Sequence, residues 1–415
     1  MRARIHRGAR EIGGNCVELE VGGKRLVLDL GHPLSAEPDE EVGLPDIPGL
    51  SAHDDGSLLG VVLSHPHQDH YGLVARADPS VPIYVGRAAA ALLDAAAFFS
   101  PSGTRLRPAG FLEDRLPFIL GPFTLTPYLV DHSAFDSYAL LVDGGRRRLF
   151  YSGDFRVHGR KASLVRKLCE SPPKSVDVLM LEGTHVRGDG PKVIGPDELR
   201  VELTMTDTFR SAEGLVVVFS SAQNVDRLVT IYRACKRAKR TLVVDLYTAT
   251  IATATGRDTI PQPGFSGLRV YVPNRQRILV KQTHEFERVE AIRRHRIFPD
   301  EIRDHVAELV MVIQGSTLPE LARADCLGGA TAIWSLWPGY LDRPSGRRTA
   351  RLLEEHRVPL VHLHASGHAR INDLQVLASA IGAARIVPMH TSAPERFQNF
   401  FSGVEQHADG EWWEV

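Results

Sequence analysis

The hydrophobic positions of this chain fall into short runs separated by polar turns, a pattern typical of many short strands. Near the N-terminus, ARIHRGA, NCVELEV and KRLVLDLG alternate in polarity, and Gly22-Gly23 between the last two predicts a hairpin turn. Further along, VPIYVG, FTLTPYLV and VDVLMLEG predict strands, whereas the alanine-rich AAAALLDAAAFF predicts a helix. Strands that alternate with helices indicate an α/β layered fold with a mixed sheet.

A separate α/β domain is predicted in the second half of the chain. LVVVFS, VDRLVTIYRACKRAKR and TLVVDLY read as a buried strand, a helix with a basic face and a second buried strand, which together form a βαβ unit. The chain then closes with the strand, helix and strand PLVHLHASG, INDLQVLASAIGA and ARIVPMH. We therefore predict residues 1–191 as the first part of one domain, 192–359 as an inserted domain, and 360–415 as the return to the first.

Composition excludes several classes of protein. The chain has 415 residues, of which 43% are hydrophobic and 24% charged, as is ordinary for a globular protein. No apolar run approaches the length of a membrane span, and the N-terminal segment lacks the apolar core of a secretion signal. The four cysteines lie far apart without a C-x-x-C pair. We expect a cytoplasmic protein with reduced cysteines and no membrane partner.

Charge is distributed unevenly along the chain. Residues 191–360 contain 25 Lys and Arg against 20 Asp and Glu, whereas the rest contains 24 against 30. An acidic body with a more basic insert suits a polyanionic substrate. The alternative is an ordinary solvated surface.

The segment SHPHQDHYG offers four metal-ligating side chains in six residues. It follows the apolar run LLGVVL, a predicted strand, and precedes the helix-like YGLVARA. Imidazole and carboxylate groups are ligands that Zn²⁺ prefers. On an extended segment His65 and His67 can face one ion, while Asp69 and His70 at the helix start can reach a second. The alternative is a coincidence among surface histidines.

Three more candidate ligands each follow a predicted strand: His132, Asp154 and His390. A lone histidine at a strand end is more often structural, but together these residues complete two sets. We expect His132 to join His65 and His67 on one ion, His390 to join Asp69 and His70 on the other, and Asp154 to bridge both. Asp29, at the end of the third strand, is expected to hydrogen-bond a ligand imidazole. The predicted cofactor is two Zn²⁺, with Mn²⁺ as the alternative.

The order of VLDLG, SHPHQDHYG, DHS, SGDF, LEGTH, HASGHA and VPMH resembles the metallo-β-lactamase fold nucleases that carry a β-CASP insertion, most closely the ribonuclease J group. The resemblance covers nearly the whole chain. It implies an αββα sandwich with an inserted β-CASP α/β domain. Glu182, Ser366-Gly367-His368 and His390 match the three motifs that accompany that insertion. Only 25 residues follow His390, so we expect the C-terminal dimerisation domain of that group to be absent, which leaves the oligomeric state open.

Hydrolysis of a phosphodiester bond also needs groups that orient water, donate a proton and bind the phosphate. Asp69 is expected to orient the attacking water, and His368, held protonated by Glu182, to act as general acid. The alternative for His368 is a further ligand or a surface histidine. The turn with Ser220, Ser221 and Gln223, together with Ser366 and Gly367, is predicted to bind the substrate phosphate, as the resemblance implies. In that turn Asn224 has helix capping as its alternative role.

Two tryptophans and a basic helix face are weaker candidates. Trp334 and Trp337 could stack on bases, but two tryptophans beside a strand are more often core. The basic positions of VDRLVTIYRACKRAKR could touch phosphates, although a solvated helix face is the simpler interpretation.

The predicted function is a zinc-dependent ribonuclease that hydrolyses single-stranded RNA, acting 5′-to-3′ as an exonuclease, with endonuclease activity left open. One alternative is a DNA nuclease resembling Artemis. His390 in VPMH favours RNA, because the matching motif of the DNA-directed branch usually lacks a histidine. Another alternative is a small-molecule metallo-hydrolase of the same fold, against which the 236-residue separation of Asp154 and His390 argues. A non-catalytic scaffold is the third.

Overall fold

The computed structural model describes residues 1–36, 40–51, 56–100, 103–187 and 195–415. Its strands are β1 (Arg2–Arg7), β2 (Cys16–Val21), β3 (Lys24–Leu28), β4 (Leu58–Val62), β5 (Ile83–Gly86), β6 (Pro108–Leu112), β7 (Phe118–Leu120), β8 (Phe123–Val130), β9 (Ser137–Gly144), β10 (Arg147–Tyr151), β11 (Val178–Glu182), β12 (Val216–Phe219), β13 (Thr241–Asp245), β14 (Leu268–Tyr271), β15 (Leu309–Ile313), β16 (Thr331–Trp334), β17 (Leu360–His362), β18 (Arg385–Met389) and β19 (Trp412–Glu414).

Its α-helices are α1 (Gln68–Tyr71), α2 (Arg87–Ala97), α3 (Ala162–Glu170), α4 (Glu198–Ser211), α5 (Val225–Ala238), α6 (Leu246–Ala254), α7 (Asn274–Thr283), α8 (Glu287–Glu290), α9 (Pro299–Asp304), α10 (Leu318–Arg323), α11 (Pro344–Glu355) and α12 (Ile371–Ile381). Short 3₁₀ helices span Val74–Arg76, Arg293–His295, Val306–Glu308, Gly315–Thr317, Pro338–Asp342 and Pro394–Asn399.

The chain divides into two compact units. The first comprises residues 1–97, 102–194 and 367–415, and the second comprises 98–101 and 195–366. The second unit is therefore inserted, in sequence, into the first.

Two facing sheets form the centre of the first unit. One has the strand order β19-β1-β2-β3-β4-β5-β6 and the other β18-β11-β10-β9-β8-β7. A single core joins them, in which Leu19 and Leu28 of one sheet pack with Leu140 and Val178 of the other. Burying such side chains contributes about 1.5–3 kcal/mol each, so this core stabilises the packing of the two sheets.

Helices cover the outer faces of both sheets. Ala89 and Leu93 of α2 pack against the first sheet, and α3 and α12 pack against the second through residues such as Leu168 and Leu377. The layers are thus helix, sheet, sheet and helix. The predicted αββα sandwich is confirmed.

The second unit contains one parallel sheet with the order β14-β13-β15-β12-β16-β17. Neighbouring residues of β12 point to opposite faces, as strand geometry requires. Val216 and Val218 pack with α4, α5 and α6, whereas Val217 and Phe219 pack with α10 and α11. Such a sheet is buried on both faces, which explains the continuous apolar run of LVVVFS.

The structure places one predicted strand differently. The expected boundary after residue 359 put Leu360–His362 in the final segment, but β17 pairs with β16 in the sheet of the second unit. The apolar pattern predicts a strand here without specifying its partner. The boundary predicted between residues 191 and 192 lies outside the described residues, and the identification of the insert as a β-CASP domain stays a prediction.

One helical expectation also changes. The helix expected over YGLVARA is replaced by the four-residue α1, Gln68–Tyr71, and the 3₁₀ helix Val74–Arg76. In the second unit, the segment from His284 to Leu309 contains only short helices.

No helix in the described ranges is long and apolar enough to cross a membrane. All four cysteines are free, and burial raises the pKa of the Cys16 and Cys235 thiols. Cytoplasmic localisation stays a prediction.

Candidate metal centre

Strand direction brings distant residues to one edge of the second sheet of the first unit. β10, β11 and β18 are parallel, and β8 runs the same way because β9 is antiparallel to both β8 and β10. The carboxyl ends of these four strands therefore lie along one edge. The residues just past or at those ends are His132, Asp154, Glu182 and His390. The loop after β4 in the facing sheet carries His65 to His70.

The first cluster consists of three histidines: His65, His67 and His132. Their ligand atoms lie within 4.8 Å of one another, and His67 Nδ1 is 3.1 Å from His132 Nε2. His132 Nδ1 donates to the Gly367 carbonyl at 2.6 Å, so the Nε2 of the neutral ring carries a lone pair. Burial lowers the pKa of all three residues, that of His67 to about 4. At neutral pH these rings are uncharged and can donate lone pairs to a cation.

The second cluster contains Asp69, His70, Asp154 and His390. His70 Nε2 lies 3.1 Å from Asp154 Oδ2, and His390 Nε2 lies 3.2 Å from Asp69 Oδ2. Burial opposes charge on both carboxylates, but the neighbouring histidines outweigh it and lower the pKa of Asp69 and of Asp154. Burial likewise opposes charge on His70, yet Asp154 and Asp29 raise its pKa. A cation bound here would take the place of the His70 proton.

A divalent cation fits these residues. His65 Nε2 and Asp154 Oδ1 are buried atoms without a hydrogen-bond partner in the described part of the chain. Buried polar atoms in that state are costly, and a metal ion satisfies both kinds of donor. Asp154 Oδ2 is also 3.7 Å from His65 Nε2, so this carboxylate borders both clusters. The predicted ligands are therefore brought together, and divalent metal binding is the chemistry that their donor set supports.

Asp29 hydrogen-bonds one candidate ligand, His70, and two neighbouring side chains. Its Oδ2 accepts hydrogen bonds from His70 Nδ1, Tyr151 Oη and Ser64 Oγ, each at 2.8 Å. Its Oδ1 accepts from the Ser64 amide at 2.7 Å. The residue adopts a φ of 59°, a conformation that aspartate tolerates better than most side chains. This geometry agrees with the supporting role expected for Asp29.

A third group of side chains lies next to the second cluster. His368 Nδ1 is 3.4 Å from Glu182 Oε2 and 3.1 Å from Thr184 Oγ1. Glu182 is fixed by the Ala369 and Thr184 amides, which donate to its two oxygens. Burial alone would lower the pKa of His368, but the Glu182 and Asp154 carboxylates raise it to about 9. The proposed acid and its carboxylate partner are thus in contact.

The predicted phosphate-binding residues are divided between the units. Ser220, Ser221 and Gln223 form the loop between β12 and α5 of the second unit, and Ser366 ends that unit. Gly367 belongs to the first unit, where its carbonyl binds His132 and where an added Cβ would meet the Ser133 hydroxyl. The phosphate role of this set stays a prediction.

The structure decides between the alternative roles of Asn224 and of Trp334. Asn224 Oδ1 accepts from the Arg227 amide at 3.0 Å, so Asn224 caps α5. Trp334 is buried in the core of the second unit. Trp337, in contrast, has 50% of its surface exposed.

Sequence reasoning did not identify two supporting side chains. Ser64 contacts both Asp29 and the His65 ring, and Thr184 links His368 to His390, whose Nδ1 lies 2.8 Å from the threonine hydroxyl. Ser64 directly precedes the metal-binding motif, which is a signal that could have been used. Thr184 lies two residues after Glu182, but its partners are about 200 residues away in sequence.

Comparisons with known proteins agree with this architecture. A family model described as a β-lactamase superfamily domain matches residues 44–231. Ribonuclease J of Sinorhizobium meliloti is 24% identical over 387 residues, which make up 89% of this chain and 64% of that protein. Ribonuclease J of Mycobacterium tuberculosis is 29% identical over 241 residues, or 55% of this chain and 41% of that protein. The predicted resemblance to the metallo-β-lactamase fold and to ribonuclease J is confirmed.

A solved structure is similar over its whole length. The crystal structure of a protein of unknown function from Enterococcus faecalis V583 superimposes with a TM-score of 0.80, covering 99% of both chains at 21% identity. This likeness shows the fold alone. The present chain spans less than two thirds of the ribonuclease J relatives named above.

Proposed function

We propose that this protein, whose residues 44–231 match a β-lactamase superfamily domain model, is a metal-dependent ribonuclease that hydrolyses the phosphodiester bonds of single-stranded RNA. One observation carries the proposal: two ligand clusters and a carboxylate-histidine pair are built side by side at one sheet edge. The names of the ribonuclease J relatives supply the substrate class. The cofactor proposed is two Zn²⁺, for which Mn²⁺ could substitute.

The residues present would hold the two ions in distinct ways. His65, His67 and His132 offer three neutral nitrogens to one ion, whereas Asp69, His70 and His390 offer mixed donors to the other. Asp154 borders both clusters and would be shared. When bound, a pair of such ions lowers the pKa of water and neutralises phosphate oxygens.

Asp69 and His368 are proposed to manage the protons of the reaction. Asp69 is held by His390 and can accept a hydrogen bond from the attacking water, which orients that water toward the phosphorus. His368 would donate a proton to the oxygen that leaves as the P–O bond breaks. Glu182 and Thr184 engage its Nδ1 side, and 21% of the His368 side chain is exposed, so its Nε2 side can face the substrate.

Exonucleolytic action needs recognition of the chain end. We assign this to Ser220, Ser221, Gln223, Ser366 and Gly367, whose hydroxyl, amide and backbone N–H groups suit a terminal phosphate. A bound 5′-phosphate would place the next phosphodiester at a fixed position and so direct 5′-to-3′ degradation.

Degradation of end-labelled RNA and DNA of one sequence tests this function, with each strand carrying either a 5′-monophosphate or a 5′-hydroxyl. We expect metal-loaded protein to release mononucleotides from 5′-monophosphate RNA and to act poorly on DNA. If the 5′-monophosphate RNA and the 5′-hydroxyl RNA are cut equally fast at internal sites, the protein is an endonuclease and the exonuclease proposal is wrong. Equal degradation of DNA would favour the DNA nuclease, and no cleavage of either polymer would overturn the proposal.

A further inference from the structure

The second unit displays an exposed aromatic pair that the proposed mechanism does not use. Trp337 and Tyr340 have 50% and 39% of their surfaces exposed, and their rings lie 5.5 Å apart in an edge-to-face arrangement. Trp337 directly precedes the 3₁₀ helix Pro338–Asp342 and Tyr340 lies within it, in the loop that follows β16. Two exposed aromatic rings side by side offer flat apolar surface on which a planar ligand can stack.

The Trp337 ring is held by its local backbone. Trp334 Nε1 donates to the Trp337 carbonyl at 3.3 Å, and Trp334 itself is anchored in the core. An added Cβ at Gly339 would collide with the six-membered ring of Trp337, so the ring lies directly against the Gly339 backbone. A fixed, exposed ring loses little conformational entropy when a ligand stacks on it.

Arginines without carboxylate partners adjoin the aromatic pair. The Arg343 guanidinium lies 5.0 Å from the centre of the Tyr340 ring. Arg343 is the N-cap of α11, and Arg347 and Arg351, four residues apart within the helix, lie on one face of it. All three are exposed, and none of them forms an ion pair with a carboxylate among the described residues.

This row of like charges has an energetic consequence. Like charges at a spacing of four residues destabilise a helix, although by only a few tenths of a kcal/mol for each pair. An anionic ligand that runs along the helix would remove that repulsion. Aromatic rings beside a row of arginines are the combination that binds single-stranded nucleic acid, since bases stack on the rings and phosphates pair with the cations.

We propose that Trp337, Tyr340, Arg343, Arg347 and Arg351, named here the Trp337 platform, bind single-stranded RNA. This inference rests on the proposed function and names a binding surface for its substrate. Duplex RNA hides its base faces within the stack and therefore fits the platform poorly.

The platform adjoins the loop proposed to bind phosphate within the same unit. β16 is parallel to β12, and the Ser335 amide donates to the Phe219 carbonyl at 2.9 Å. The loops that follow these two strands therefore start side by side at one edge of the sheet. Ser220 and Ser221 lie in one of these loops and Trp337 in the other, so one strand of RNA can contact both.

The platform is tested by the equilibrium binding of fluorescently labelled single-stranded RNA to the full chain. Binding is measured by anisotropy, with chelator present to prevent cleavage. We expect Trp337→Ala to weaken binding about 5- to 150-fold, the usual effect of losing one stacked base. Trp337→Phe should retain most of the affinity. Phe298→Ala is the matched control, because Phe298 has 49% of its surface exposed and is covered by Arg296, yet lies outside the platform.

Salt dependence provides a second readout. Arg347→Gln should reduce the slope of log K against log salt by about 0.7, the effect of one phosphate contact to a single strand. Arg303→Gln, whose guanidinium already pairs with Asp300, should leave the slope unchanged.

The outcomes separate this inference from the proposed function. If wild-type protein cleaves RNA but Trp337→Ala and Arg347→Gln bind as wild type does, the platform is wrong and the ribonuclease stands. If both variants lose affinity while wild-type protein cleaves no RNA, the platform stands and the ribonuclease is wrong. If the two variants weaken the binding of duplex RNA as much as that of single-stranded RNA, the preference of the platform for single strands is wrong.

Discussion

At the scale of single residues, the candidate centre contains side chains that hold the proposed ligands in place by hydrogen bonds. Asp29 is the clearest case, because one carboxylate accepts from His70, Tyr151 and Ser64. Supporting hydrogen bonds of this kind fix the ring orientation and the tautomer of a histidine ligand.

Asp29→Asn should weaken metal binding about 10- to 100-fold without unfolding the protein. Asparagine tolerates the positive φ of this position, but its amide group cannot accept all of the hydrogen bonds that converge on Oδ2. Competition with a chromophoric chelator measures the affinity. Asp143→Asn, at a surface ion pair with Arg148, is the control that should bind metal as wild type does. Unchanged affinity in Asp29→Asn would contradict the supporting role.

His368→Ala should keep the full metal content and lose about 10²- to 10⁴-fold in the rate of RNA cleavage, the usual contribution of a general acid. Elemental analysis and single-turnover rates on the same preparation measure both quantities. His368 also lies within reach of Asp154. Loss of an ion in the variant would therefore make His368 a ligand instead of an acid.

The candidate ligands could be predicted from the sequence because their types and spacing are local properties, as in the segment from His65 to His70. Thr184 was not identified, because its importance arises from contacts with His368 and His390 that only the folded chain creates. The bond between the Gly367 carbonyl and His132 was not predictable for the same reason, and the phosphate role of Gly367 stays a prediction.

At the scale of elements, a buried carboxylate links the first three strands. Glu18 of β2 accepts hydrogen bonds from Arg4 of β1 and Arg25 of β3, each at 2.8 Å, and lies 2.8 Å from His6. Burial opposes its charge, but these three partners outweigh burial and lower the pKa of Glu18. These strands support β4 and hence the loop that carries the metal motif.

Glu18→Gln should lower the free energy of unfolding at neutral pH by about 1.5–3 kcal/mol, the range for hydrogen bonds to a charged group. Because the pKa of Glu18 is lower in the folded than in the unfolded protein, its charge stabilises the fold at any pH above the unfolded pKa of about 4.3. This stabilisation is lost as the pH falls through the pKa of the folded protein. The difference between wild type and variant should therefore shrink on acidification. Glu20→Gln, which breaks a more exposed pair with Arg2, should cost less than about 1 kcal/mol. Urea unfolding across pH measures both variants, and a difference that grows in acid would contradict the account.

Strands were predictable where polarity alternates or an apolar run is bounded, as in β2 and β12. Pairing was not predictable, because the pattern of β17 is the same whether it joins one sheet or another. The segment from His284 to Leu309 carries many charged residues and no sustained apolar face, and it forms only short helices.

At the scale of the whole molecule, the layered architecture followed from the order of strands and helices. The convergence of His132, Asp154 and His390 did not follow from that order alone, because it depends on four strands running in one direction. The inserted unit was predicted from its own βαβ pattern, and its last strand was assigned to the wrong segment because no local signal marks the return of the chain.

The purified protein should contain two metal ions per chain. Seven ligand residues are too many for one tetrahedral ion, and they form two clusters that Asp154 joins. Asp154→Ala should lose metal and lower the thermal midpoint, because an ion that binds only the folded state stabilises it. Elemental analysis of wild type and variant measures the content. If wild-type protein contains at most one ion per chain and Asp154→Ala contains the same amount, the predicted count of two is wrong.

The most direct test of the central claim is the rate of RNA cleavage by chelator-stripped protein as Zn²⁺ or Mn²⁺ is added back in measured equivalents. The account predicts no cleavage without metal and a rate that rises to a plateau at two equivalents per chain, because both clusters must be filled. Full activity in the stripped protein, or a plateau at a single equivalent, would contradict it.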